Sequence, residues 1–222
     1  NTGKILYKTA IKWLDTLETQ KNRLSAKELA DTAKAAGLKP IAQLSLLKDH
    51  ITPTILAYTT YMFKDESYSW LDNSAEKGGK ACLNPFTDET QAFAASLAAE
   101  INAGGFEKII VSDVVFPIFK PYDIKILPAE VNDSAKRIAA LEKTLESFLS
   151  SAQNAVFEIG AEDFLTYDNG FLATVEIAEL AKNNPDLSFT VEFNASISRK
   201  IKASSGTEIT LSADQKVVTT KD

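Results

Sequence analysis

Apolar residues along this chain fall into short unbroken runs separated by stretches with helical spacing. Residues 38–47, 106–113, 155–160 and 187–193 are the runs, each of strand length and most bounded by glycine, asparagine or proline. Such runs predict strands buried on both faces. Pro40 stands near the start of the first, where a missing N–H does least harm. Between the runs the spacing changes to that of helices. Ser25 with Glu28 three residues on forms a capping-box pattern before Leu29, Ala30 and Ala33, and Gly37 stops that helix. Thr87 precedes a helix carrying Thr90, Ala94, Leu97, Ala98 and Ile101 on one side, and Asp133 or Ser134 precedes Ile138, Leu141, Leu145, Phe148 and Leu149. A further helix is predicted over residues 171–182, ending at Asn183-Asn184-Pro185, and two short strands or an edge ribbon over 207–219.

Strand and helix alternating at this spacing predict an α/β domain with a parallel sheet and right-handed crossovers. The rhythm fits either an open doubly wound sheet or part of an eight-stranded barrel. Residues 50–86 break it. They form a long connection rich in aromatics (Tyr58, Tyr61, Phe63, Tyr68, Trp70), and a connection of that length in a compact domain often carries function.

Composition narrows the chemistry. The chain has 222 residues, 45% apolar and 24% charged, enough for one large domain with a real core. A net charge of −6 with no Lys/Arg cluster argues against a nucleic-acid partner. Cys82 and His50 are the sole cysteine and histidine, which excludes an internal disulfide and Cys/His zinc chemistry. A Cys82–His50 pair lacks any third group to orient it. Gly78-Gly79 and Gly104-Gly105 lack the pattern of a phosphate-cradling loop and read as turns. No cofactor, metal or membrane contact is expected of this segment.

Several segments together resemble a bacterial family of glycosyl-hydrolase-like TIM-barrel domains. They are Gly37-Leu38-Lys39-Pro40-Ile41-Ala42 with Lys48-Asp49, then Trp70-Leu71-Asp72, Asn84-Pro85-Phe86, and Gly105-Phe106-Glu107-Lys108-Ile109 with Val114, Phe116 and Pro117. The opening Asn1-Thr2-Gly3-Lys4-Ile5-Leu6-Tyr7 is similar to the segment just after that family's second strand, so residues 1–222 are expected to form one domain whose first strands lie upstream. The resemblance implies a (β/α) barrel with its active face at the strand C-termini. It implies polysaccharide or oligosaccharide as partner and a cell-surface or extracellular setting.

One departure from the family matters. Where the family has Asp-Tyr-Val-Arg-Phe-Pro, this chain has Ser112-Asp113-Val114-Val115-Phe116-Pro117. Aligned on Phe-Pro, the family's aspartate falls on Ser112, and Asp113 comes one residue later. A one-residue slip on a strand turns a side chain to the other face, so without a bulge Asp113 points toward the helices. The next strand carries a similar slip, with the acidic position on Phe157 beside Glu158.

Glycoside hydrolysis uses two carboxyl groups. Asp113, Glu158 and Glu192 are the catalytic candidates; the structural alternative is strand-end capping or a lysine ion pair for the first two, and a polar position satisfied by a neighbour for Glu192. Gln43, Lys48, Asp49, Tyr61, Trp70, Asn84 and Ser112 are the candidates for substrate contact. For Lys48-Asp49 a local salt bridge competes; for Tyr61, Tyr68 and Trp70, read together as a sugar-stacking wall, anchoring of the loop; for Asn84, a turn before the helix. The expected function is a glycoside-hydrolase-like domain that acts on or binds a polysaccharide, impaired in catalysis if Ser112 holds the acid position. The alternative is a non-catalytic carbohydrate-binding or cell-surface scaffold.

Overall fold

A computed structural model describes residues 5–14, 23–160, 189–192, 199–202, 208–211 and 217–219, with side chains up to residue 158. Helix α1 (Ala26–Ala35) starts on the capping box: Ser25 Oγ accepts from the Glu28 N–H at 3.2 Å, and Glu28 accepts from the Ser25 N–H at 2.7 Å. Two end donors are thereby satisfied reciprocally. Gly37, at φ 75°, ends the helix and lets the Leu38 N–H turn back to the Ala33 carbonyl. Strand β1 (Ile41–Ser45), the short α2 (Thr52–Ile55) and the long α3 (Asp88–Ala103) follow. Thr87 caps α3 by accepting from the Thr90 N–H.

Strand β2 (Lys108–Ser112) leads through the short α4 (Asp123–Ile126) to α5 (Ser134–Leu149), which Asp133 caps by accepting from the Lys136 N–H at 3.1 Å. Then come β3 (Ala155–Gly160), β4 (Phe189–Glu192), β5 (Arg199–Lys202), β6 (Glu208–Leu211) and β7 (Val217–Thr219). The predicted helix over 171–182 lies outside the described residues.

The main sheet runs β1-β2-β3-β4-β7. Its first four strands are parallel, and β7 closes it antiparallel to β4. Strands β5 and β6 pair only with each other, antiparallel. Each parallel strand joins beside its predecessor, so the winding never reverses. A doubly wound sheet reverses at a switch point, and a barrel does not. The fold is therefore α/β, a partial TIM-type barrel.

Alternation along the strands sets the two faces. Ala42, Ile109, Val111, Ala155 and Phe157 are buried in one core with Phe93, Ala94, Leu97 and Ile101 of α3 and Leu141, Leu145 and Phe148 of α5. Phe148 meets Phe157 edge-on, with ring centroids 6.3 Å apart. The opposite face carries Gln43, Ser45, Ile110, Ser112, Val156 and Glu158.

An N-terminal strap is fastened to the outside of α3. Glu100 accepts from Tyr7 Oη at 2.8 Å and from Thr9 Oγ1 at 2.7 Å, and it also binds the Ala10 N–H. Burial, reinforced by the Glu100 charge, pushes the Tyr7 phenol far up, so Tyr7 remains a donor in this clasp.

Candidate active site at the strand C-terminal edge

Ser112 and Glu158 come side by side through the register of β2 and β3. Val111 pairs with Phe157, and Ser112 and Glu158 are the next residue of each strand. Glu158 is half-buried, and Gln43, from β1 two strands away, donates its Nε2 to Glu158 Oε1 at 3.4 Å. Ser112 is buried, and its Oγ donates to the Leu44 carbonyl at 3.1 Å. The hydroxyl is thus bound to the neighbouring strand, and it has no acidic proton to offer.

Asp113 leaves the strand pattern altogether. Its φ is 57°, and among the described residues it shares the left-handed region with only one other non-glycine, Glu66. Aspartate tolerates this region better than most residues, though at a cost of about 1–2 kcal/mol. The pleat's alternation ends with the turn, so the helix-facing orientation expected of an unbroken strand does not apply. The carboxylate instead meets Lys48, with Oδ1 3.2 Å from Nζ. Lys48 stands three residues past β1. The backbone holds the two loops in step, since the Leu46 and Leu47 N–H groups donate to the Ser112 and Asp113 carbonyls at 3.0 and 3.1 Å.

The other candidates are placed as follows. Asp49 is buried and accepts from the Ile51 and Thr52 N–H groups at 2.7 and 2.9 Å and from Thr52 Oγ1, so it holds the turn that leads into α2. Burial pushes its carboxyl up, against the pull of those donors. Tyr61 and Trp70 are 1% and 2% exposed and pack with Phe119 as a buried trio, with centroids 5.0–6.0 Å apart. No ring face of that pair is open to a sugar. Asn84 Oδ1 accepts from the Phe86 N–H at 3.1 Å and shapes the turn before α3. Glu192 ends β4, and its backbone pairs with Gly160; its side chain lies outside the described residues.

Sequence reasoning passed over two features. The left-handed turn at Asp113 leaves no mark on hydrophobic alternation. Tyr122, exposed in the β2–α5 connection, lies outside the aromatic-rich stretch that draws attention to residues 50–86.

Cys82 and His50 come within 3.9 Å (Sγ to Nδ1), but His50 Nδ1 also lies 2.6 Å from the Ala81 carbonyl oxygen. A carbonyl cannot donate, so Nδ1 carries the proton and cannot take one from the thiol. Burial first, then the Asp72 charge, push the thiol from 9.0 up to about 12. The folded state therefore holds this proton more tightly. The resulting stabilisation is full below pH 9.0 and is lost as the pH rises toward about 12. Iodoacetamide at pH 8 should alkylate Cys82 at least about a hundredfold more slowly in the folded protein than in urea, because the thiolate is the nucleophile. Equal rates would show the thiol to be open. Among the described residues, no group of three or more His, Cys, Asp or Glu is placed to hold a metal ion.

The sheet order defines a partial α/β barrel, with Asp113 and Glu158 near the C-terminal ends of its adjacent strands β2 and β3. The chain belongs to the family described as "putative glycosyl hydrolase domain", whose model matches residues 1–166. A similar solved structure is a hypothetical protein from Ruminiclostridium thermocellum ATCC 27405, at 17% identity and a TM-score of 0.54, covering 71% of this chain and 76% of that one. Another is the glycoside hydrolase domain of PelA from Pseudomonas aeruginosa, at 12% identity and a TM-score of 0.40; 86% of this chain is covered, but only 64% of that one. No curated protein matches the sequence. Among the described residues, no helix is long and apolar enough to cross a membrane.

Proposed function

We propose that this domain hydrolyses a polysaccharide, with Glu158 and Asp113 as its two carboxylates. The observation that carries the reading is the left-handed turn directly after β2 at Asp113, whose carboxylate pairs with Lys48 beside the serine at position 112. In this reading Glu158 exchanges a proton with the glycosidic oxygen. Asp113, oriented by Lys48, supports the positive charge that develops on the sugar or directs the attacking water. Water adds across the broken C–O bond: its hydroxyl joins the anomeric carbon, and a proton goes to the leaving oxygen. Gln43 holds Glu158 in place by its amide contact. Glu192 is the third candidate, near the same edge by its place at the end of β4.

A second reading has its own support. Ser112 at the family's acid position is neutral and already bonded to Leu44, and Asp113 is already ion-paired, which fits a domain that holds glycan without cutting it. Incubation with chitin, cellulose, xylan and amylose, followed by chromatography of new reducing ends, separates the two. Hydrolysis predicts soluble products from at least one polymer. Retention on a polymer with no product would set hydrolysis aside in favour of the binding scaffold.

A further inference from the structure

The connections that leave the C-terminal ends of β1 and β2 are locked together twice. Inside, Tyr61 and Trp70 of the first pack on Phe119 of the second. Farther out, Lys64 reaches across: its N–H donates to the Ile126 carbonyl at 2.8 Å and its Nζ to the Lys125 carbonyl at 3.0 Å. Each side of that junction holds a tyrosine. Tyr68 closes a hairpin, its carbonyl accepting from the Phe63 N–H at 2.9 Å and its ring meeting Phe63 edge-on at 6.3 Å. Tyr122 opens α4, and its carbonyl accepts from the Lys125 N–H at 3.0 Å. Both backbones are therefore fixed within one residue of a Lys64 contact.

The rings are nevertheless 70% and 68% exposed. Tyr61, on the same connection, is 1% exposed, so this region can bury a tyrosine; Tyr58, at 75%, is also left outside, but it does not flank the Lys64 junction. The charge around them is balanced. Lys64 and Lys120 both direct their ammonium groups to backbone carbonyls, of Lys125 and Asp72, while Asp65 and Glu66 stand at the hairpin tip. Lys64, Lys120 and Lys125 are balanced by Asp65, Glu66 and Asp123, so the surface carries no charge excess to draw a polyion. It offers flat apolar rings with hydroxyl edges, which match the C–H faces and hydroxyl rims of pyranose sugars. The same loops adjoin the candidate site: the Leu83 N–H donates to the Leu47 carbonyl at 3.1 Å, and the Leu47 N–H, next to Lys48, donates to the Asp113 carbonyl at 3.1 Å.

We propose that Tyr68 and Tyr122 form a binding platform for an uncharged polysaccharide, gripping the chain outside the carboxylate site. The platform rests on the glycan reading above but not on hydrolysis. Holding by prearranged rings costs little ordering entropy, so it should add affinity with each sugar that reaches the rings.

Affinity electrophoresis in soluble xylan and amylose, with pull-down on chitin and cellulose, tests it on the intact chain. The wild type should be retained by at least one polymer. Tyr68→Ala with Tyr122→Ala should bind that polymer about tenfold more weakly at unchanged Tm, whereas Tyr68→Phe with Tyr122→Phe should bind within about twofold of wild type. Undiminished binding by the double alanine variant would overturn the platform, as would wild-type retention on none of the four. Sedimentation supplies a further check: a wild-type dimer that the alanine pair dissociates would overturn it in favour of a self-association face. Tyrosine-dependent binding without release of reducing ends would uphold the platform and reject hydrolysis alone.

Discussion

Glu158→Gln is expected to lower kcat/KM on any polymer the domain cleaves by about 10²–10⁴-fold, the usual loss when a proton-transferring group is removed. The substitution preserves shape. The new amide oxygen still accepts from Gln43, which donates at 3.4 Å in the native chain, so the strand should keep its register. What is lost is the exchangeable carboxyl proton. Asp113→Asn should also reduce turnover, since an amide beside Lys48 carries no charge to offer a developing cation. Initial rates of reducing-end release check both. Wild-type rates in the two variants would dismiss the carboxylate assignment. Loss in Glu158→Gln alone would move the second role away from Asp113, with Glu192 the next residue to replace.

Trp70→Ala should destabilise the domain by about 3–5 kcal/mol, the range for deleting a large buried aromatic. Trp70 is 2% exposed, lies 5.0 Å from Phe119 and 6.0 Å from Tyr61, and ties the two long connections to each other. The cavity has little chance to collapse, because its walls come from separate loops already fixed by backbone bonds such as Trp70 N–H to the Tyr61 carbonyl at 2.7 Å. Urea denaturation followed by circular dichroism measures the loss. A change below about 1 kcal/mol would show that the ring is dispensable and the loops hold through their hydrogen bonds alone.

The regular elements were legible because their signals are local. Ser25 with Glu28, Thr87 and Asp133 mark helix starts through side chains that reach only three residues, and β3 occupies the run over 155–160 that its apolar content predicts. Strand β5 was not legible, since Arg199-Lys200-Ile201-Lys202 is mostly charged and shows no apolar run. Helices α2 and α4 have four residues each, too few for a 3.6-residue period to register. The pairing of β7 with β4 depends on neighbours far along the chain, which local pattern does not encode.

The candidate site was legible as residue types and less so as geometry. Periodicity placed Glu158 on its strand, but the contact with Gln43 joins β1 to β3 and needs the sheet order. Asp113 follows from no pattern, because a single φ of 57° undoes the two-residue alternation used to aim it. Hydrophobicity also cannot separate an aromatic that anchors a loop from one that faces solvent. Tyr61 and Trp70 go inward while Tyr68 stays out, although all three sit in one stretch of similar composition.

Strand order that follows chain order bears on how the molecule is made. As the polypeptide leaves the ribosome, β2 finds β1 already present, then β3 finds β2, and β4 finds β3, so the edge each strand offers to its successor is covered soon after synthesis. Contacts between successive units keep loop closure short, which favours quick assembly and limits the time that unpaired edges spend exposed to other nascent chains.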